Sequence, residues 1–111
     1  MVAAAKPAFA KQVEAGMDTV RRLGNLYTGS LFGALASLIC NVEGESLVGK
    51  RIGFYAYGSG AAASFYAAKV VKSTAFMAKA VDLENRLTSM KIVPSQTFVD
   101  AINVRLALSL P

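Results

Sequence analysis

A four-residue stretch, Tyr57-Gly58-Ser59-Gly60, lies between two apolar runs in a chain of 111 residues that contains no histidine. Glycine-flanked backbone lets main-chain amides come close to a ligand, and amides aimed at a carbonyl stabilise the charge that develops on its oxygen. The Ser59 hydroxyl is a poor nucleophile here. Glycines flank it directly, unlike the Gly-x-Ser-x-Gly elbow, and no imidazole is present to take its proton. Nor is the stretch a phosphate loop, because no lysine follows at the spacing of Gly-x-x-x-x-Gly-Lys-Ser/Thr. What remains is a backbone role at a carbonyl or oxyanion, set against an ordinary hairpin turn. Taken alone, the hairpin turn is the stronger reading.

Asn25 and Tyr27 bring a second set of polar atoms. An asparagine just past a helix end commonly caps the turn, while its amide also suits donation to a substrate carbonyl; alone, the capping role is favoured. Glu43 and Glu45 flank Gly44 in a polar loop and read as solvated charges, with no carboxylate pairing suited to acid–base work. The one cysteine, Cys40, excludes an intrachain disulfide and a multi-cysteine zinc site. It ends an apolar run and reads as a buried structural thiol, because a reactive thiolate wants an electropositive, partly open setting. The sequence offers no metal-ligating constellation.

These groups need elements to hold them. Over residues 9–23, Phe9, Val13, Met17 and Val20 recur every three or four positions, which predicts an amphipathic helix closed by Gly24. Residues 30–40 are apolar or small on every side and predict a buried helix, in which Gly33, Ala34, Ala36 and Ser37 permit close packing. An acidic loop follows over 41–46. Residues 51–57 are aromatic and strand-like, and 61–71 is read as the partner strand across the glycine-rich turn, although its alanines also suit helix. Leu83, Leu87 and Met90 predict a helix over 81–90 with an Asp82–Arg86 ion pair, and Pro94 opens another over 95–106. The expected fold is α/β: a β-hairpin (51–57 and 61–71) packed with helices (9–23, 30–40, 81–90 and 95–106), in one domain over 1–111.

Composition narrows the partners. Hydrophobic residues make up 54% of the chain and mean hydropathy is +0.43, high for a soluble domain of this size, so some apolar surface is expected to meet further protein. The net charge of +5 is spread along the sequence without a run of five or six cations. That argues against nucleic acid and fits an anionic small ligand better. No apolar run approaches the roughly 20 residues that span a bilayer, and no signal peptide is evident, so no membrane role and a cytoplasmic location are expected.

Three blocks occur in one order: Gly24-Asn25-Leu26-Tyr27-Thr28-Gly29-Ser30-Leu31-Phe32-Gly33-Ala34-Leu35-Ala36-Ser37-Leu38, then Leu47-Val48-Gly49-Lys50-Arg51-Ile52-Gly53, then Tyr57-Gly58-Ser59-Gly60-Ala61-Ala62-Ala63-Ser64. Together they closely resemble the C-terminal part of hydroxymethylglutaryl-CoA synthase, with weaker similarity through 83–87 and 94–105. The resemblance implies a partial thiolase-like fold. It also implies a part in condensing acetyl-CoA with acetoacetyl-CoA, on the mevalonate route to isoprenoids and sterols, with coenzyme A thioesters as substrates and no cofactor. Asn25 matches the asparagine that contacts a substrate carbonyl, Tyr27 and Tyr57 match active-site tyrosines, and Gly58 and Ser59 match the turn whose amide helps form an oxyanion site.

The family's catalytic glutamate, cysteine and histidine lie upstream of the matched blocks, and Cys40 falls in the wrong block to be that nucleophile. The resemblance therefore implies a segment truncated at both ends relative to the family and incomplete as an enzyme alone. Its implied partners are acyl-CoA and either an N-terminal half or a homodimer-type thiolase-fold partner. The alternative is a non-catalytic CoA-ester-binding or regulatory thiolase-like remnant acting through protein interaction.

Overall fold

Alternation along residues 51–58 builds the hairpin. In the computed structural model, which describes residues 2–108, β1 (Arg51–Gly58) pairs antiparallel with β2 (Ala62–Lys69). Arg51 lies opposite Lys69, Phe54 opposite Tyr66 and Gly58 opposite Ala62. Three residues make the turn, and the third, Ala61, takes the left-handed conformation that closes loops of this length (φ 61°). Phe54 is buried and stacks on Tyr66 with 4.9 Å between ring centroids. Ile52 and Ala56 share its face and are half-buried, while Arg51, Gly53, Tyr55 and Tyr57 occupy the exposed one.

Among the described residues, seven helices surround the hairpin in sequence: α1 (Val2–Gln12), α2 (Asp18–Leu23), α3 (Ser30–Asn41), α4 (Gly44–Leu47), α5 (Ala75–Val81), α6 (Leu83–Thr88) and α7 (Ser95–Leu108). Helix α3 is the hub. It packs against α2, α5, α6, β1 and the 3-10 turns Glu14–Gly16 and Tyr27–Gly29. Ile39 of α3, Leu47 of α4, Phe54 of β1 and Leu87 of α6 form the buried apolar centre. The mixed α/β architecture, a small antiparallel hairpin among several helices, is the one expected.

A polar knot fastens α2 to α3. Ser37 is fully buried, and its Oγ accepts the Thr19 backbone N–H at 3.1 Å. Its proton has two acceptors in reach, Thr19 Oγ1 at 3.2 Å and the Gly33 carbonyl at 3.0 Å. The Thr19 amide lies in the first turn of α2, where N–H groups lack intrahelical partners, so Ser37 caps α2 from the neighbouring helix. Ser37→Ala is expected to cost about 1–3 kcal/mol, read as a lower urea midpoint, because it orphans that buried amide. A midpoint equal to wild type would show that the amide finds another acceptor.

Three expected elements differ in detail. The helix predicted over 9–23 is divided: α1 ends at Gln12, Glu14–Gly16 tightens to a 3-10 turn, and α2 begins at Asp18. The break contains Gly16, a poor helix former, and α3 fastens it: Asn41 Nδ2 donates to the Ala15 carbonyl at 3.0 Å and to the Asp18 carboxylate at 2.6 Å. The predicted helix over 81–90 is likewise α6 alone, preceded by α5, with Asp82 at φ 46° as the joint between them. The Asp82 carboxylate accepts Asn85 Nδ2 at 2.8 Å, and the Asp82–Arg86 ion pair is absent among the described residues. Finally, the acidic loop at 41–46 gives way to α4 at Gly44.

Much surface stays uncovered. The accessible area is 9001 Å², whereas a compact monomer of this mass exposes about 5,900 Å². The radius of gyration is 17.7 Å, against about 13 Å expected for a compact chain of this length. Every residue of β2 and α7 is exposed, including Phe65, Phe98, Ile102 and Leu106. Among the described residues, no helix is long and apolar enough to cross a membrane.

Candidate functional site

Gly24 ends α2 with a φ of 75°, a conformation that glycine adopts without strain, and its N–H bonds to the Val20 carbonyl at 3.0 Å. Asn25 follows directly. Its Oδ1 accepts the Tyr27 N–H at 2.7 Å and the Ser30 hydroxyl at 3.3 Å, and Ser30 Oγ accepts the Leu26 N–H at 3.0 Å. An NH₂ group cannot accept from an N–H, so these bonds fix the amide's orientation. Asn25 Nδ2 is left with no acceptor among the described residues. Capping and donation are thus compatible in one side chain: oxygen holds the turn, and nitrogen remains available.

The same bonds hold Tyr27 in an unusual place. Its φ is 53°, in the left-handed region that a tyrosine occupies at a cost of about 1–3 kcal/mol, and the residue is 82% exposed. Across from it lies the hairpin tip. Asn25, Tyr27, Ser30, Leu31 and Ala34 on one side, and Tyr55, Tyr57, Gly58 and Ser59 on the other, line an open groove of 840 Å³. That volume falls within the range of small-molecule sites.

All five residues singled out from sequence, Asn25, Tyr27, Tyr57, Gly58 and Ser59, line this groove. Tyr55 and Ser30 line it too and were missed. Strand alternation carried the signal for Tyr55, which shares the face of Tyr57. Ser30 had no sequence signal beyond its place at the start of a helix. Cys40 lies elsewhere, half-buried, with Sγ 3.8 Å from the Ala78 carbonyl.

The chemistry of the groove follows from its lining. Among the described residues, no charged side chain lines it; the polar atoms are hydroxyls, one carboxamide and main chain. Such a surface suits a neutral carbonyl, whose oxygen gains charge as it is attacked, and not an anion held by ion pairing. Neither Gly58 nor Gly60 has a positive φ, and a β-carbon on either would meet nothing within 4 Å. Their bareness is therefore not required by packing or conformation within the chain, and it leaves the rim open to a group from outside. Among the described residues, no cluster of three or more His, Cys, Asp or Glu is arranged to hold a metal ion.

An antiparallel hairpin among helices, with a polar loop facing a glycine-flanked turn across an open groove, is α/β architecture of the thiolase-like kind. The family model described as "Hydroxymethylglutaryl-coenzyme A synthase C terminal" matches residues 1–109, and the chain belongs to that family. It is 53% identical over 100 residues to a hydroxymethylglutaryl-CoA synthase of Mycosarcoma maydis and 48% identical over 101 residues to one of Ganoderma lucidum. It is 36% identical over 112 residues to the mitochondrial hydroxymethylglutaryl-CoA synthase of Homo sapiens. These alignments cover 90%, 91% and 95% of the chain, yet the chain spans only 22% of the length of each relative.

Proposed function

We propose that this chain supplies the carbonyl-binding wall of a hydroxymethylglutaryl-CoA synthase site, at which acetyl-CoA is condensed with acetoacetyl-CoA. The observation that carries this reading is the Asn25 carboxamide. Its oxygen is fully engaged in holding the loop, and its nitrogen is left as a donor beside the groove. Forming a carbon–carbon bond at a carbonyl places negative charge on that oxygen, and a donor fixed beforehand stabilises the charge without reorganising. The main-chain amides at Gly58 and Ser59 serve the same oxygen or its neighbour from the opposite wall. Tyr27 and Tyr57 flank the acyl group with rings and hydroxyls.

The nucleophile and the acid–base groups come from further protein. The sequence has no histidine, and no carboxylate of the described residues lines the groove. The uncovered surface supports a large partner: the chain exposes roughly 3,000 Å² more than a compact monomer would, which is the scale of obligate interfaces. The test is complementation. The upstream portion of a synthase such as the Mycosarcoma relative is produced separately, mixed with this chain, and assayed for thiol released from acetyl-CoA plus acetoacetyl-CoA. Activity well above that of the upstream portion alone is expected. No gain, together with calorimetric binding of acetoacetyl-CoA by the chain alone, would instead favour a non-catalytic CoA-ester-binding module.

A further inference from the structure

We infer that Tyr55 is a positioning residue of this groove, acting by holding the ring of Tyr57. The inference deepens the carbonyl-site reading and rests on it for the identity of the ligand, but not for the contact between the two rings.

β1 sends alternate side chains to opposite faces, so Tyr55 and Tyr57 stand side by side, away from the face of buried Phe54. Their ring centroids are 6.1 Å apart with planes inclined by 30°, within the range of an offset aromatic pair. Tyr57 has few other restraints. It is 77% exposed, its hydroxyl makes no hydrogen bond among the described residues, and it borders a turn whose glycines leave open space around them. Tyr55 is its only aromatic neighbour among the described residues. Tyr55 is itself better anchored, in the middle of the paired strand opposite Phe65 and 60% exposed. A ring that must flank an acyl group at the groove mouth is thus steadied from the strand side, which lowers the entropy lost when the ligand binds.

The experiment is a double-mutant cycle on the full chain, with acetoacetyl-CoA as the calorimetric probe. Tyr55→Ala is expected to weaken binding about three- to tenfold, the worth of one aromatic pair, while Tyr55→Phe, which keeps the ring, stays within about twofold of wild type. In a Tyr57→Ala background, the additional loss from Tyr55→Ala is expected to disappear, because the ring it steadied is gone. Equal losses in both backgrounds, or no loss in either, would overturn the inference. If Tyr55→Ala does not fold, Tyr55→Leu, which keeps apolar bulk without a ring, takes its place.

A wild-type chain that fails to bind acetoacetyl-CoA would count against the carbonyl-site reading, and a second measurement then decides the role of Tyr55 in the free protein. The four tyrosines are replaced by 3-fluorotyrosine, and the fluorine line of Tyr57 is assigned by its loss in Tyr57→Phe. Tyr55→Ala is expected to narrow that line toward that of a freely rotating ring. An unchanged width would overturn the inference.

Discussion

Replacing Asn25 by aspartate is expected to lower kcat of the complemented synthase by a factor of about 10²–10³, the usual loss when one oxyanion donor is removed. Aspartate is the informative substitution because it separates the two duties of this side chain. An oxygen is retained to accept the Tyr27 N–H and the Ser30 hydroxyl, so the loop keeps its shape. The Nδ2 donor is lost, and a carboxylate now faces the oxygen on which negative charge develops. Asn25→Ala removes both duties and is expected to lower thermal stability as well as turnover, because Tyr27 then holds its left-handed backbone without the Asn25 acceptor. The measurement is kcat and KM with acetoacetyl-CoA varied, beside a melting curve for each variant. A fall in kcat of less than about threefold for Asn25→Asp, with binding and fold intact, would remove Asn25 from the site and leave it as a turn residue.

The sequence was most legible where local rules and tertiary needs agree. Aromatic residues alternating through β1, a short glycine-bearing turn and a second apolar run specify the hairpin, and Pro94-Ser95 opens α7 where expected. It was least legible where one helix bends another. The apolar spacing of Phe9, Val13, Met17 and Val20 is sound helical periodicity, yet the helix stops at Gln12, and the segment around Gly16 is held by Asn41, more than 20 residues away in the chain. Periodicity cannot register such a contact. Asp82 is similar: it offers a carboxylate at the right spacing for Arg86, but it lies in the left-handed joint between α5 and α6 and turns to Asn85. α5 was missed although Ser73-Thr74 offers N-cap residues; the helix is only seven residues long, too short for a clear periodicity, and Thr74 makes no side-chain cap in the fold.

At the groove, the residue types of Asn25 and Ser59 suggested carbonyl chemistry, but only the fold shows that residues more than 30 apart share a wall-to-wall space. The division of labour within the Asn25 amide was also invisible in sequence. It depends on Ser30, whose hydroxyl links Asn25 to the Leu26 amide and so completes the loop.

Gly44→Ala is expected to be the most destabilising single-methyl change in the chain. Gly44 is buried at the start of α4, and a β-carbon built there would lie 2.5 Å from the Ala75 backbone nitrogen and 3.0 Å from the Thr74 nitrogen and Ser73 Oγ. Two of these three atoms are main chain, so no rotamer change relieves the overlap; the start of α4 and the start of α5 must move apart. The movement would disturb an already imperfect joint, because Thr74 Oγ1 is buried there without a hydrogen-bond partner. Overpacking of this kind costs about 1–3 kcal/mol, and backbone opposition places Gly44→Ala toward the upper end. With only Ile39, Leu47, Phe54 and Leu87 as buried apolar side chains among the described residues, little reserve stands behind it. A fall in melting temperature on the order of 10 °C is expected for a chain of this size. Groove residues are untouched by the change, so acetoacetyl-CoA affinity measured well below the melting point should stay near wild type. A melting temperature within about 2 °C of wild type would mean that α4 and α5 are not packed as closely as their backbones indicate.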